Sequence, residues 1–178
     1  IEAFDLTRVN KSGAKFDPEK TKWFQHHYFQ EISNEELAEK FNEFITNNKG
    51  SNNCIDYNME KTTKIVGLIK ERASFVGDLW EQSDFFYVAP KNYNEKAAKK
   101  AFKEDSAQIL QKVTELINEV DVFSTVAISD KVKGWITSQE IGFGKVMMPL
   151  RLALVGEMKG PDVFEIASLL GKEEVVSR

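Results

Sequence analysis

Apolar residues recur three and four positions apart along most of the chain. Leu37, Phe41, Phe44 and Ile45 form one such stripe, and Ile65, Val66, Leu68 and Ile69 a second. Ile109, Leu110, Val113, Leu116, Ile117 and Val120 form a third. This spacing puts each set on one face of a helix, turned toward a common core. No run alternates apolar and polar residues at the period of a half-buried strand. The expected fold class is all-α, a cage of about nine or ten helices in two packed groups.

Capping residues set the expected boundaries. Asp17-Pro18 offers an N-cap and then Pro at the first helical position, where its missing N–H costs nothing; this helix should run to about Gln30. Ser33-Asn34-Glu35-Glu36 has capping-box spacing. Asn47 to Asn53 is polar and turn-rich, hence a loop. Helices should start near Asn58 and again at Ser74, the latter reaching Gln82. Phe85-Phe86-Tyr87-Val88, closing at Ala89-Pro90, is expected to plug a gap between helices. Asn92 or Asn94 should cap a small lysine-rich helix ending near Lys103, and Asp105-Ser106 the next. After Asp121 the pattern continues as helix through Val126, Val132, Trp135 and Ile136, until Gly142-Phe143-Gly144 breaks it. Lys145 to Val155 is helical and closes at Gly156, a glycine suited to a left-handed C-terminal cap. Pro149 lies inside that stretch, so the helix either starts there or is kinked. Gly160-Pro161 opens another helix, ended by Gly171, and one more begins at Lys172. The groups should divide at the Asn-rich loop or at the Pro90 connector. Trp23, Trp80 and Trp135 fall on apolar stripes and are expected in the core.

Charge narrows the possible partners. The 178 residues carry 24 basic and 28 acidic side chains, a net charge of −4. That balance argues against a dedicated basic wrapper of nucleic acid, although RNA affinity follows local potential rather than the total. Two local basic zones stand out. Lys91, Lys96, Lys99, Lys100 and Lys103 crowd one stretch and read as a solvated helix face; Lys131, Lys133, Lys145 and Arg151 form a sparser second. The single cysteine, Cys54, excludes a disulfide within the chain. No apolar run approaches the roughly 20 residues that span a bilayer. Ile1-Glu2-Ala3-Phe4-Asp5 has neither the basic patch nor the cleavage site of a secretory signal. It also lacks an initiator Met, so the chain is expected to begin inside a longer protein.

Catalytic constellations are missing. His26 and His27 are adjacent and would point about 100° apart on a helix, which rules out a shared metal. Cys54 has no partner at zinc spacing. Gly142-Phe143-Gly144-Lys145 fails the phosphate-loop pattern, because Gln139 stands where a glycine is needed and Val146 where a hydroxyl is needed. It fails the dinucleotide pattern at Met147. The acid pairs Glu35-Glu36 and Glu173-Glu174 sit at helix starts, where they complement the helix dipole.

Two segments carry a family likeness. The first is Phe4-Asp5-Leu6-Thr7-Arg8-Val9-Asn10-Lys11-Ser12-Gly13-Ala14-Lys15-Phe16-Asp17, continuing through Lys20, Trp23 and Tyr28. The second is Gly144-Lys145-Val146-Met147-Met148-Pro149-Leu150-Arg151-Leu152-Ala153-Leu154-Val155-Gly156, continuing through Gly160-Pro161-Asp162-Val163-Phe164 to Leu169-Leu170-Gly171-Lys172-Glu173. In order and separation these resemble the C-terminal half of bacterial glutamyl-tRNA synthetases. The second block is the more specific, since Pro-Leu-Arg followed by Ala, Gly and Gly-Pro does not arise from helix grammar. The likeness implies a stem-contact segment over residues 1–50 and a helical anticodon-binding region over 51–178. It implies a parent glutamate–tRNA ligase that is cytoplasmic and monomeric and uses ATP and Mg2+, in a Rossmann domain whose motifs this chain lacks. The fragment itself is then expected to hold no cofactor and to be inactive.

The likeness also implies a site. Anticodon bases are unstacked and read on their hydrogen-bonding edges. The planar fork of arginine suits that task. Arg151 is the leading base reader, with a surface ion pair to Glu140 or Glu157 as the alternative. Gly160, Pro161 and Val163 are expected to present backbone groups to a base, with a plain capping turn as the alternative; Gly160 stands where the family often has a hydroxyl, leaving any contact there to the main chain. Arg72 lies where the family places a second reading arginine. Lys145 is expected at a phosphate, and Lys15, Lys20 and Lys22 along the stem backbone, where contacts position without specifying. The competing function is a helical protein-interaction module without RNA binding.

Overall fold

The structure, a computed structural model, describes residues 16–48 and 58–178. Lys15, Cys54 and most of the Asn-rich loop lie outside the described residues. Among the described residues are ten α-helices and no strand. They are α1 (Pro18–Glu31), α2 (Asn34–Asn48), α3 (Met59–Ile69), α4 (Val76–Ser83), α5 (Glu95–Ala101), α6 (Ser106–Asn118), α7 (Thr125–Ser138), α8 (Phe143–Val155), α9 (Val163–Leu170) and α10 (Lys172–Ser177). Two 3-10 turns, Lys70–Arg72 and Asp84–Phe86, flank α4.

Capping chemistry fixes several starts. Asp17 accepts from the amides of Glu19 and Lys20, with Pro18 opening α1. Asn58 caps α3 through the Lys61 amide, and Asn94 caps α5 through the Ala97 amide. Ser33 Oγ accepts from the Glu36 amide, but the Glu36 carboxylate goes to Lys40 at 2.6 Å rather than back to Ser33, so only half the capping box forms. Asp105 does not cap α6 with its side chain. Its carboxylate is drawn to Lys145 instead, and Ser106 Oγ accepts from the Lys103 amide at 2.7 Å. The helix expected after Asp121 begins only at Thr125, capped by Ser124, and turns Ile128, Val132 and Ile136 inward while Val126 faces solvent.

α2, α3 and α4 pack on one another, and α5 to α10 form the second group. The packing groups therefore separate near the Pro90 connector, since α2 packs across the Asn-rich stretch onto α3. The Asp84–Phe86 turn touches both α4 and α9. Phe85 and Phe86 are buried there and join a single apolar cluster running from Phe29 to Val175. The aromatic burst thus does plug the gap.

Trp23 corrects the expectation of three core tryptophans. Trp80 and Trp135 pack partly buried against the core, but Trp23 is 62% exposed. Among the described residues α1 docks through its last turns, where Phe29 is buried and His26, Gln30 and Ile32 are half-buried. Its first turns overhang. There Trp23 stacks on His27 at 5.7 Å and meets Phe24 edge-on, and Lys20 Nζ lies 5.9 Å from the Phe24 ring centre.

Candidate nucleic-acid interface

α8 delivers Arg151. The helix runs unbroken from Phe143 through Pro149, so it does not start at the proline. Pro149 cannot donate to the Lys145 carbonyl, but it is buried against neighbouring helices, and that packing holds the helix together. The chain leaves α8 at Gly156, whose φ is +80°. A Cβ there would sit 2.8 Å from Pro90 Cβ and 3.1 Å from the Asn92 carbonyl oxygen. The Gly156 carbonyl also accepts from the Asn94 amide at 3.0 Å. Glycine is therefore required twice over, by backbone sign and by close approach.

Arg151 is half-buried, and its Nη1 donates to the Lys159 carbonyl at 2.9 Å. The expected alternative, an ion pair with Glu140 or Glu157, does not form. Glu157 lies 3.4 Å from Lys159 instead. Burial lowers the Arg151 pKa, the charge of Asp162 opposes that shift, and the charge of Arg72 adds to it. The fold thus brings Arg72 and Asp162, one far from Arg151 in the chain and one near it, within electrostatic reach of the Arg151 guanidinium. A guanidinium stays charged throughout the working pH range. Two like charges held together repel, and an electron-rich ligand placed between them relieves that repulsion. Arg72 is exposed and has no side-chain hydrogen bond or ion pair among the described residues. Its planar donors are open to a base edge or a phosphate.

The segment after Lys159 differs from expectation in detail. Pro161 and Val163 are buried and Gly160 is half-buried at φ +100°, so none of the three offers an exposed side chain. Asp162, not Pro161, starts α9: its carboxylate accepts from the amides of Phe164 at 2.8 Å and Glu165 at 3.3 Å. The first-turn amides of Phe164 and Glu165 are therefore already capped. Asp162 is the functional candidate the motif reading missed, although an Asp just ahead of an apolar helix is an ordinary N-cap signal. Lys159 was missed too. Its Nζ donates to the Glu81 carbonyl at 3.0 Å and its main chain anchors Arg151, long-range contacts with no local sequence signature.

Lys159 also lines a concave surface. A cleft of about 360 Å³ is walled by Trp80, Phe85, Pro90, Asn92, Gly156 and Lys159. Arg151 grips the loop that forms one wall, so the arginine stands beside a hollow with an aromatic side.

The predicted phosphate contacts are dispersed. Lys20 and Lys22 lie exposed on the overhanging part of α1, and Lys15 is outside the described residues. Lys145 Nζ is paired with Asp105 Oδ2 at 3.0 Å, and Lys131 with Glu119 at 2.7 Å. Both pairs are exposed and lie in high dielectric, so a phosphate can compete for either lysine. The hydrogen bond from Lys145 holds the Asp105 carboxyl below its ordinary value. A carboxylate lowered on folding stabilises the fold above its unfolded pKa, and that contribution fades as pH falls through the lower folded value. Asp105→Asn should therefore lower the melting temperature slightly at pH 7 and low salt. The difference should vanish in about 1 M salt, where the Debye length is ~3 Å, or at pH 2. A gap that persists under either condition contradicts a screened surface pair. Among the described residues no His, Cys, Asp or Glu cluster could hold a metal ion, and no helix is long and apolar enough to cross a membrane.

Comparison with known proteins adds relatives to this geometry. A family model described as the anticodon binding domain matches residues 36–178. A glutamate–tRNA ligase from Christiangramia forsetii is 47% identical over 177 residues, which is 99% of the chain and 34% of that protein. One from Flavobacterium johnsoniae is 47% identical over 178 residues, again 34% of its length. Among solved structures, a glutamate–tRNA ligase from Elizabethkingia meningosepticum in complex with its amino acid superposes with a TM-score of 0.89 at 43% identity. That match covers 98% of the chain and 34% of the solved one. The chain thus spans about a third of the length of the curated relatives it matches.

Proposed function

The chain belongs to the anticodon binding domain family, and from that premise we propose that it is the tRNA-recognition part of a glutamate–tRNA ligase. In this reading the parent enzyme joins glutamate to its tRNA with ATP and Mg2+, in a catalytic domain outside this sequence. The observation that carries the site is Arg151, anchored to the carbonyl of Lys159 on the wall of the Trp80 cleft and within electrostatic reach of Arg72. An anticodon nucleotide, splayed from its loop, meets two planar donor forks there and an aromatic wall. Arg151, fixed by Lys159, supplies a preset fork. Arg72, exposed on the turn after α3, supplies the second fork. Gly160, Pro161 and Val163 act through the main chain only. Residues 1–50 meet the tRNA stem and 51–178 hold the anticodon, with Lys15, Lys20, Lys22 and Lys145 serving phosphates. The protein works in the cytoplasm as a monomer, without a membrane.

A helical protein-interaction module is the second reading, and the aromatic overhang of α1 at Trp23 and Tyr28 is what favours it. Fluorescence anisotropy with a glutamate tRNA transcript separates the two. Binding should weaken steeply with salt, as released counterions require. Neutralising even four phosphates gives a log–log slope of about −3 to −4. Absence of binding at low salt would leave the interaction module as the better account. The chain alone should show no ATP–pyrophosphate exchange; measurable exchange would contradict the division of labour.

A further inference from the structure

The C-terminal half of α1 is bonded to the short turn that carries Arg72. His26 Nδ1 lies 3.0 Å from the Ala73 carbonyl oxygen. A carbonyl only accepts, so Nδ1 carries the proton, as it does in both the neutral δ tautomer and the imidazolium. Gln30 Nε2 donates to the carbonyls of Lys70 at 2.9 Å and Ala73 at 3.3 Å. In return Lys70 Nζ donates to the carbonyl of Ile32, at the C-terminal cap of α1. The gripped residues, 70 and 73, bracket position 72.

The turn needs that grip. A three-residue 3-10 turn has poor hydrogen-bond geometry of its own, and the last bond of this one runs from Ala73 N to Lys70 O at 3.0 Å. Arg72 is exposed and adds no side-chain anchor among the described residues. The turn also touches α3 and α4, and the donors from α1 fix its two ends, at Lys70 and Ala73.

We propose that His26 and Gln30 are positioning residues that hold the Lys70–Arg72 turn so that Arg72 meets the nucleotide gripped by Arg151. This rests on the anticodon reading above and extends it. The helix assigned to the tRNA stem also sets the geometry of an anticodon reader, so stem contact and base reading share one mechanical link.

The test compares a glutamate tRNA transcript with one of substituted anticodon, bound to the full chain and followed by anisotropy. Gln30→Leu and His26→Phe remove the donors. Each should weaken binding of the glutamate transcript by about tenfold, the size of one lost base contact, and leave the substituted transcript nearly unchanged. In an Arg72→Ala background the same substitutions should have no further effect, because coupled residues are not additive. His26→Asn, which keeps a donor near the Nδ1 position, should restore binding. An equal loss on both transcripts, or an undiminished loss in the Arg72→Ala background, would overturn the proposal and leave α1 docking as merely structural. If Arg72→Ala itself leaves the anticodon preference intact, the assignment of Arg72 as a reader fails, and the positioning role with it.

Discussion

Gly156→Val should destabilise the chain by about 3 kcal/mol or more. A β-branched residue forced to positive φ costs of order 1–3 kcal/mol. Overpacking a tight contact costs about 1–3 kcal/mol more, and here the added carbon would meet Pro90 Cβ at 2.8 Å. For a domain of this size each kcal/mol moves the melting temperature by roughly 2–4 °C, so calorimetry should show a drop of about 6–12 °C. Gly134 is the control. It lies exposed in α7 with nothing within 4 Å of an added Cβ. Gly134→Ala should hold or raise stability by about 0.5–1 kcal/mol, the helix preference of alanine. A Gly156 variant as stable as the parent would show that the Pro90–Asn92 connector is not clamped against the end of α8.

Arg151→Ala should cost about 1–3 kcal/mol of affinity for glutamate tRNA, the usual value of a base-reading arginine. Arg72→Ala should cost a similar amount. Removing both should cost less than the sum, because each single deletion also relieves the repulsion between the two guanidinium groups and neighbours in one network are not additive. Arg151→Lys separates charge from shape. It keeps the cation but loses the planar fork, so the salt dependence should stay while anticodon preference falls. Full activity of the lysine variant in anticodon discrimination would reassign Arg151 to a phosphate.

The helices were readable because their ends are written locally. Asp17-Pro18, Asn58, Asn94 and Gly156 each satisfy or release a backbone group with their own side chain or lack of one. Core stripes such as Leu37–Phe41–Ile45 were readable for the same reason, since the period belongs to the helix. Tertiary choices were not readable. Asp105 could cap α6 or pair with Lys145, and only the approach of α8 decides for the pair. Trp23 sits on an apolar pattern, yet among the described residues no helix covers that end of α1. Arg151 was found by motif, but the meeting with Arg72 was not in the spacing. It depends on the 3-10 turn after α3 and on the contacts of α1, which join residues far apart in sequence. Gly160-Pro161 offers a helix start that competes with Asp162 in the sequence; the carboxylate wins because it can satisfy two amides at once.

Anticodon reading is tested most directly by the affinity of the unaltered chain for two tRNA transcripts that differ only in the anticodon, at matched ionic strength. It predicts that replacing the glutamate anticodon weakens binding by about tenfold or more, since each mismatched recognition costs roughly 1–3 kcal/mol. Equal affinities for the two transcripts would mean that Arg72 and Arg151 read no base, and would contradict it.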